Sequence, residues 1–157
     1  MQIRIICALF VALCMPGCAI FGPDTWDTSY DKDTWRAYRK DQVYVLRKPV
    51  YFIRGEFGDM PELAIPGYNN SGHGVRYPDT MMAEHEWKAY PEIQGVLPAG
   101  TKMQAVKTIR FESINVSVTQ VIMKILDGPF TGRLVSANAL NKPNPPYEYD
   151  PDYLGMP

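Results

Sequence analysis

The sequence predicts a mainly β protein with one domain of short strands. Its 157 residues are enough for one domain and too few for two of ordinary size. Its 14 prolines and 12 glycines favour turns over long helices. Runs of β-branched and aromatic residues, such as residues 41–55 and 115–126, are separated by turn-forming segments.

The first run, "DQVYVLRKPVYFIRG" at residues 41–55, predicts strand structure. Valine, tyrosine, phenylalanine and isoleucine dominate it, and Pro49 interrupts it. Proline cannot donate to a strand ladder, so the run is expected to form one bent strand or two short strands.

The second half of the chain predicts three strands in close succession. Residues 98–100 form a Pro-Ala-Gly turn, and an imperfect two-residue alternation follows it. Residues 115–126 are nearly continuous in apolar content, which is typical of a central strand buried on both faces. The glycine-containing turn at 127–132 then leads into a last strand and a short turn at 133–140.

This order resembles the small five-stranded, partly open barrels of the bacterial Src-homology-3-like (SH3-like) class. The resemblance covers about 100 residues and is carried by Leu97, Pro98, Gly100, Thr101, Gly128, Gly132, Val135 and Leu140. It implies a β-barrel-like domain at residues 41–140. That class usually has Gly-Trp before its final strand, whereas this chain has Gly132-Arg133.

Residues 55–95 have little two-residue alternation and are expected to form a long insertion after the first strand. Residues 80–90 are predicted to form a short helix capped by Asp79. Aromatic side chains dominate the energetics of interfaces, and the insertion has four candidates for a partner-binding surface: Tyr68, Tyr77, Trp87 and Tyr90. The alternative is that Trp87 and at least one tyrosine are core residues beneath a lid.

Residues 1–17 have the layout of an export signal, with Arg4 before an apolar stretch at residues 5–15. A helix of that length rises about 16 Å, which is too short to cross a bilayer. The following "MPGC" resembles the lipobox of bacterial lipoproteins. Gly17 and Cys18 match its pattern, Met15 replaces the usual leucine, and Pro16 is an unusual choice.

The lipobox resemblance implies cleavage between Gly17 and Cys18 and acylation of Cys18. Ala19 is not the aspartate that favours inner-membrane retention in such lipoproteins, so the expected location is the outer membrane, facing the periplasm. A Gram-positive host would place the protein on the cell membrane instead. An unlipidated secretory signal or an apolar N-terminal helix is the alternative. The other two cysteines, Cys7 and Cys14, fall in the expected leader, which excludes a disulfide in the body.

Residues 18–40 are predicted to be a lipid-anchored tether, because they lack a sustained apolar period. The tripeptide Asp-Thr-Trp occurs twice in this segment. Its aromatic rings are expected either at the lipid headgroups or packed on the domain. Residues 141–157 contain five prolines and predict an extended tail, either unstructured or a docking peptide.

Both histidines, His73 and His85, lie in the insertion. Together with Glu84 or Glu86 they are weak candidates for a metal site, since residues 84–86 cannot all face one way on a helix. We find no catalytic constellation and expect no cofactor. A net charge of -1 without basic clusters argues against nucleic-acid binding.

The sequence therefore predicts a non-enzymatic periplasmic lipoprotein, anchored in the outer membrane, that acts as a binding, structural or accessory module of the envelope. Its expected partners are the membrane, through the lipid anchor, and an envelope protein or peptidoglycan. A peptidoglycan-binding module is the first alternative function. A metal-dependent hydrolase using His73 and His85 is the second. The oligomeric state is left open.

Overall fold

The computed structural model describes residues 24–27, 38–55, 60–70, 74–113, 116–142 and 148–157. For residues 24–27, 70, 110–113 and 116–118 it describes the backbone alone. Within these ranges, none of the helices has the length and apolar content needed to cross a bilayer.

The described residues form one large sheet, one two-stranded sheet and two short 3₁₀ helices. The strands are β1 Asp24–Asp27, β2 Val43–Leu46, β3 Val50–Ile53, β4 Glu62–Ala64, β5 Asn69–Asn70, β6 Val75–Arg76, β7 Ile93–Leu97, β8 Lys102–Ser113, β9 Val116–Ile125, β10 Leu134–Ser136 and β11 Leu154–Gly155. The 3₁₀ helices span Glu84–Ala89 and Asn138–Leu140.

The large sheet is open and follows the order β11-β2-β8-β9-β10-β4-β3-β7, with β1 paired to β8 beside this path. Strands β5 and β6 form the separate pair. Neighbouring strands are antiparallel except β10 and β4, which meet in parallel at Ser136 and Glu62.

The sheet is strongly curled. Strands β2 and β3 lie five positions apart in the sheet order, which would separate them by about 24 Å in a flat sheet. The chain passes from Leu46 at the end of β2 to Val50 at the start of β3, a path of at most about 14 Å. Because that path is too short for a flat sheet, the strands must bend round a common interior.

The prediction of a mainly β fold is confirmed, whereas the predicted count of five strands is wrong. The large sheet contains nine strands, eight on its main path and β1 beside it. Segments outside the predicted barrel strands supply three of the additional ones: β1 comes from the expected tether, β4 from the insertion and β11 from the tail. These strands have two to four residues, which is too short to show an alternating pattern in sequence.

The run at residues 41–55 forms two strands, β2 and β3, with Pro49 between them. The expected successive strands in the second half of the chain are also present as β8, β9 and β10. The predicted turn at 127–132 uses positive φ angles at Gly128 and Gly132. Residues 121–123 of β9 are all buried, as the apolar sequence predicted for a central strand.

Strand β3 is buried on both faces and divides the interior into two clusters. Val50 and Phe52 point into the main core, which also contains residues of β2, β8, β9, β10 and β11. Tyr51 and Ile53 point to the other side, into a second group that we call the outer cluster. The buried members of the outer cluster are Tyr51, Ile53, Ala64, Tyr77 and Ile93.

The tail differs from the sequence prediction because its last residues join the sheet. Strand β11 pairs antiparallel with β2, opposite Leu46 and Val45. The Leu154 side chain is fully buried in the main core. Tyr149 and Tyr153 of the tail are partly buried against the same core, so strand pairing and side-chain burial together hold this end of the chain.

Candidate interaction site

The insertion covers the face of β3 that points away from the main core, and its side chains pack over the outer cluster. Tyr77 is 1% exposed and packs there with Tyr51 and Ile53. Seven further apolar side chains are partly buried against this cluster: Tyr68, Val75, Met81, Met82, Trp87, Tyr90 and Val96. Burial of aromatic side chains contributes strongly to stability, so the insertion is an integral part of the domain.

Backbone hydrogen bonds fix the first part of the insertion. The Gly67 amide donates to the Pro78 carbonyl at 2.8 Å, and the Tyr77 amide donates to the Tyr68 carbonyl at 2.9 Å. Gly67 has a φ angle of 76°, a conformation that side chains other than glycine rarely adopt. These bonds continue the β5–β6 pairing and hold Tyr68 beside the buried Tyr77.

The Tyr51 hydroxyl holds the middle of the insertion against β3. It accepts a hydrogen bond from the Met82 amide at 2.7 Å and donates to the Thr80 carbonyl at 3.4 Å. Burial raises the pKa of Tyr51 above its ordinary value, and the Met82 hydrogen bond partly offsets this rise. One side chain of the sheet therefore fixes the backbone that carries both methionines.

Three tyrosines form a row through the outer cluster towards its surface. The ring centroids of Tyr51 and Tyr77 are 5.6 Å apart, and those of Tyr77 and Tyr90 are 5.7 Å apart. These separations are within the favourable range for aromatic pairs. Because the row begins on β3 and ends at the partly exposed Tyr90, the surface ring has a buried aromatic support.

The predicted helix at 80–90 is present as the shorter 3₁₀ helix Glu84–Ala89. The predicted cap at Asp79 is wrong. The helix starts after Ala83, whose amide donates to the Glu86 carboxylate at 2.7 Å. Asp79 instead pairs with Arg76 at 3.3 Å on the exposed surface. Glu86 is three residues beyond Ala83, the last residue before the helix, so its carboxylate takes the capping role.

The four predicted aromatic residues divide into two groups. Tyr77 is a buried core residue, so its inclusion in the predicted contact surface is wrong. Tyr68, Trp87 and Tyr90 are partly exposed above it. Together with the partly buried Val75, Met81 and Met82 they form a group of apolar side chains on the cluster, which we call the insertion face.

Trp87 has a mixed environment within the insertion face. Its ring packs on the outer cluster and is partly exposed. Its Nε1 atom is buried and has no hydrogen-bond partner among the described residues. A buried indole N–H without an acceptor costs free energy.

The candidate metal ligands are not brought together by the described structure. His85 is exposed on the 3₁₀ helix. The Glu86 carboxylate accepts the hydrogen bond from the Ala83 amide at the start of that helix. His73 lies outside the described residues. Within the described ranges there is no group of three or more histidine, cysteine, aspartate or glutamate side chains that could hold a metal ion.

Sequence reasoning missed one buried carboxylate near this site. Glu92 is 8% exposed, and its Oε1 atom has no hydrogen-bond partner among the described residues. Its backbone carbonyl accepts a hydrogen bond from the Arg54 amide at 2.8 Å. This bond connects the end of β3 to the start of β7. Nothing in the local sequence distinguishes Glu92 from the other 16 acidic residues.

The predicted cleavage and acylation positions, Gly17 and Cys18, lie outside the described residues. Comparison with known proteins finds no matching family model, no matching curated protein and no matching solved structure.

Proposed function

We propose that this protein is a lipid-anchored module of the bacterial envelope that binds a partner through its insertion face. The observation that carries the proposal is a partly exposed aromatic and methionine surface supported by a fully buried tyrosine cluster. Tyr68, Trp87 and Tyr90 are the principal contact residues in this proposal. Tyr77 acts beneath them as support.

The composition of the insertion face suits protein recognition. Aromatic residues and methionine are enriched at interfaces and contribute large contact areas. Met81 and Met82 have flexible, polarizable side chains that adapt to different shapes. Their backbone is fixed through Tyr51, so binding would order side chains rather than the chain itself.

The anchor in this proposal is acylated Cys18, by resemblance of "MPGC" to a lipobox. Burial of acyl chains contributes about 0.8 kcal/mol per CH₂ group, so two or three chains give lasting attachment. Ala19 after the cysteine supports an outer-membrane, periplasm-facing location. Fatty-acid labelling of cells tests this step: the label should be lost in Cys18→Ser, and label that persists would show that the anchor lies elsewhere.

We further propose that the sheet is an elaborated barrel of the Src-homology-3-like class. The turn at 98–101 joins β7 to β8, as the resemblance implies, and the Thr101 amide and hydroxyl both donate to the Pro98 carbonyl. Strand β10 is followed by the one-turn 3₁₀ helix Asn138–Leu140, also as expected for that class. In this proposal β1, β4 and β11 are additions to a smaller core.

Peptidoglycan is the alternative partner to an envelope protein, since small barrels of this class often recognise cell wall. Co-sedimentation of the full acylated chain in detergent with purified sacculi separates the two. Binding that Trp87→Ala abolishes would identify peptidoglycan as the ligand of the insertion face. If the protein does not sediment with sacculi, an envelope protein remains as the proposed partner. Lys124→Ala, an exposed substitution on β9, is the matched control.

A further inference from the structure

Strands β2, β8, β9 and β10 have one face that points away from the main core. Alternate residues of these strands are buried in that core: Tyr44, Met103, Ile125 and Val135. Side chains alternate along a strand, so the residues next to these point outward. The register aligns four outward residues in one row across the strands, in the order Val43, Gln104, Lys124 and Leu134.

Four basic residues that are scattered in the sequence come together on this outward side, and we call them the basic face: Arg47, Lys102, Lys107 and Lys124. Lys124 is opposite Gln104, two residues along β8 from Lys102, and such diagonal neighbours are about 7 to 8 Å apart. Lys107 is opposite Ile122, two residues along β9 from Lys124. Ile122 is fully buried, so the exposed area ends near Lys107.

Arg47 joins the basic face because residue 155 is a glycine. Gly155 on β11 is opposite Val45, and Val45 is opposite Lys102 on β8, so all three share the outward face. A Cβ atom at Gly155 would lie 2.5 Å from Nε of Arg47. The guanidinium group therefore lies directly against the backbone of β11, in a place that a side chain at position 155 would occupy.

Few negative charges offset the basic face. The segments that form it, residues 43–47, 102–109, 119–126 and 134–136, contain no aspartate or glutamate. At its border, the Asp127 carboxylate accepts a hydrogen bond from the Lys102 amide at 2.8 Å. None of the four basic side chains forms an ion pair with a described acidic side chain, in contrast to Lys48, Arg76 and Lys142. This part of the surface is therefore electropositive.

Aliphatic side chains lie among these charges. Val43 and Val45 are partly exposed, and Leu134 is 38% exposed. The methylene groups of lysine also cover apolar neighbours, while the ammonium group extends towards water. The face therefore presents positive charge at the ends of long side chains, with aliphatic groups beneath them.

We infer that the basic face docks on an anionic phospholipid surface. Each lysine or arginine close to such a surface strengthens binding about fivefold. Exposed aliphatic groups such as Leu134 suit the boundary between headgroups and acyl chains. The inference rests on the proposed acylation of Cys18 for the nearness of a bilayer, whereas the charges determine which side of the domain faces it.

The shape of the basic face favours a membrane over an acidic peptide. The strands bend round the main core, so their outward side is convex. A convex surface gives an extended peptide no groove, whereas long basic side chains can reach a planar surface from it. Strands β10 and β4 separate β9 from β3, so the insertion face points in a different direction and stays accessible to its own partner.

Fluorescence quenching by a headgroup nitroxide lipid tests the docking in the full acylated chain. The sequence has no cysteine after Cys18, so a single label can be placed at Leu134→Cys. Lys88→Cys, exposed on the 3₁₀ helix, is the matched control position. Each labelled protein is reconstituted into phosphatidylcholine vesicles and into vesicles that also contain phosphatidylglycerol.

We expect stronger quenching at position 134 in the phosphatidylglycerol vesicles, reversed by high salt, and little quenching at position 88 in either. Lys102→Gln combined with Lys124→Gln should lower the ratio of docked to undocked protein about 25-fold. Arg76→Gln combined with Lys142→Gln removes the same charge elsewhere and should change that ratio little.

Equal quenching at position 134 in the two kinds of vesicle, or equal effects of the two double variants, would overturn the inference. A discrete protein adduct from a benzophenone amino acid at Lys124 in cells would assign the basic face to an acidic protein and would overturn it as well.

Vesicle flotation of the same samples reads the anchor separately. Protein that floats with both kinds of vesicle but shows equal quenching overturns only this inference. Protein that floats only with phosphatidylglycerol overturns the anchor and supports the basic face. Protein that floats with neither overturns both.

Discussion

The hydroxyl group of Tyr38 donates a hydrogen bond of 2.5 Å to Oδ1 of Asn141, across 103 residues of sequence. Tyr38 is fully buried, and its ring lies 5.6 Å from that of Tyr44 and 5.8 Å from that of Tyr149. Residues before the first strand of the body and residues of the tail therefore meet at one aromatic cluster beside β2.

Removing the Tyr38 hydroxyl should destabilise this junction. We expect Tyr38→Phe to lower the free energy of unfolding by about 1 to 2 kcal/mol, because the buried Asn141 hydrogen bond is lost while the ring packing remains. Denaturant unfolding of the two proteins measures the difference. Tyr153→Phe is the control, since its ring contact with Lys48 is retained. Equal losses in both variants would contradict a specific role for Tyr38.

Stability should fall at alkaline pH. Burial is the main cause that raises the pKa values of Tyr38, Tyr44 and Tyr51 in the folded protein. The folded state therefore binds these protons more tightly than the unfolded state, whose tyrosines titrate near about pH 10. The stability contribution is complete below that pH and is lost as pH rises above it.

Denaturant unfolding between pH 8 and pH 11.5 checks this dependence. The free energy of unfolding should be nearly constant at the lower end and fall above about pH 10. Tyr38→Phe should show a shallower fall, because it removes one buried ionisable group. A flat profile to pH 11.5 in the unmodified protein would be inconsistent with the buried tyrosines described above.

The tail should contribute to stability through Leu154. This side chain is fully buried in the main core, whereas Met156 two residues later is 57% exposed. We expect Leu154→Ala to cost about 2 to 5 kcal/mol and Met156→Ala less than about 0.5 kcal/mol. Thermal or denaturant unfolding compares the pair. If both substitutions lower the free energy of unfolding by similarly small amounts, the end of the chain is not part of the core.

Gly95 on β7 should not tolerate a side chain. A Cβ atom at this position would lie 2.6 Å from the ring of Phe130. That ring stacks on Phe52 with centroids 4.0 Å apart, so moving it aside would disturb this contact. Gly95→Ala is expected to destabilise the protein by about 1 to 3 kcal/mol despite the better strand propensity of alanine.

A double-mutant cycle isolates this close approach from other effects of alanine. In a Phe130→Ala background the added methyl group has no ring to meet, so Gly95→Ala should then be nearly neutral. If the losses of stability from the two single substitutions add up in the double variant, glycine is required at position 95 for a reason other than the Phe130 ring.

The strands that could be predicted from sequence are those with long or strongly apolar runs. Residues 115–126 predicted a central strand, and Val121, Ile122 and Met123 of β9 are buried as expected. Strand β1 could not be predicted, because "DTWD" is short and polar and pairs only through the distant edge of β8. Leu154 was missed for a similar reason, since one buried residue among prolines gives no period.

The aromatic residues of the insertion could be identified as candidates from sequence, but which of them are buried could not. The aromatic content of residues 55–95 indicated a surface there. It did not distinguish Tyr77, which is buried, from Tyr68 and Tyr90, which are partly exposed. That division depends on the pairing of β5 with β6 and on the hydrogen bonds of Tyr51 with residues 80 and 82. Both are tertiary features with no local signature.

Site-specific photo-crosslinking in intact cells tests the proposed binding surface most directly. A benzophenone amino acid is placed at Tyr68 or Tyr90 in the full chain, with Lys124 as the exposed control position on β9. We predict a discrete adduct from Tyr68 and Tyr90, identifiable by mass spectrometry and weakened by Trp87→Ala, with none from Lys124. Adducts that are absent from both tyrosine positions, or equal at Lys124, in protein that remains folded and membrane-bound would contradict the proposal.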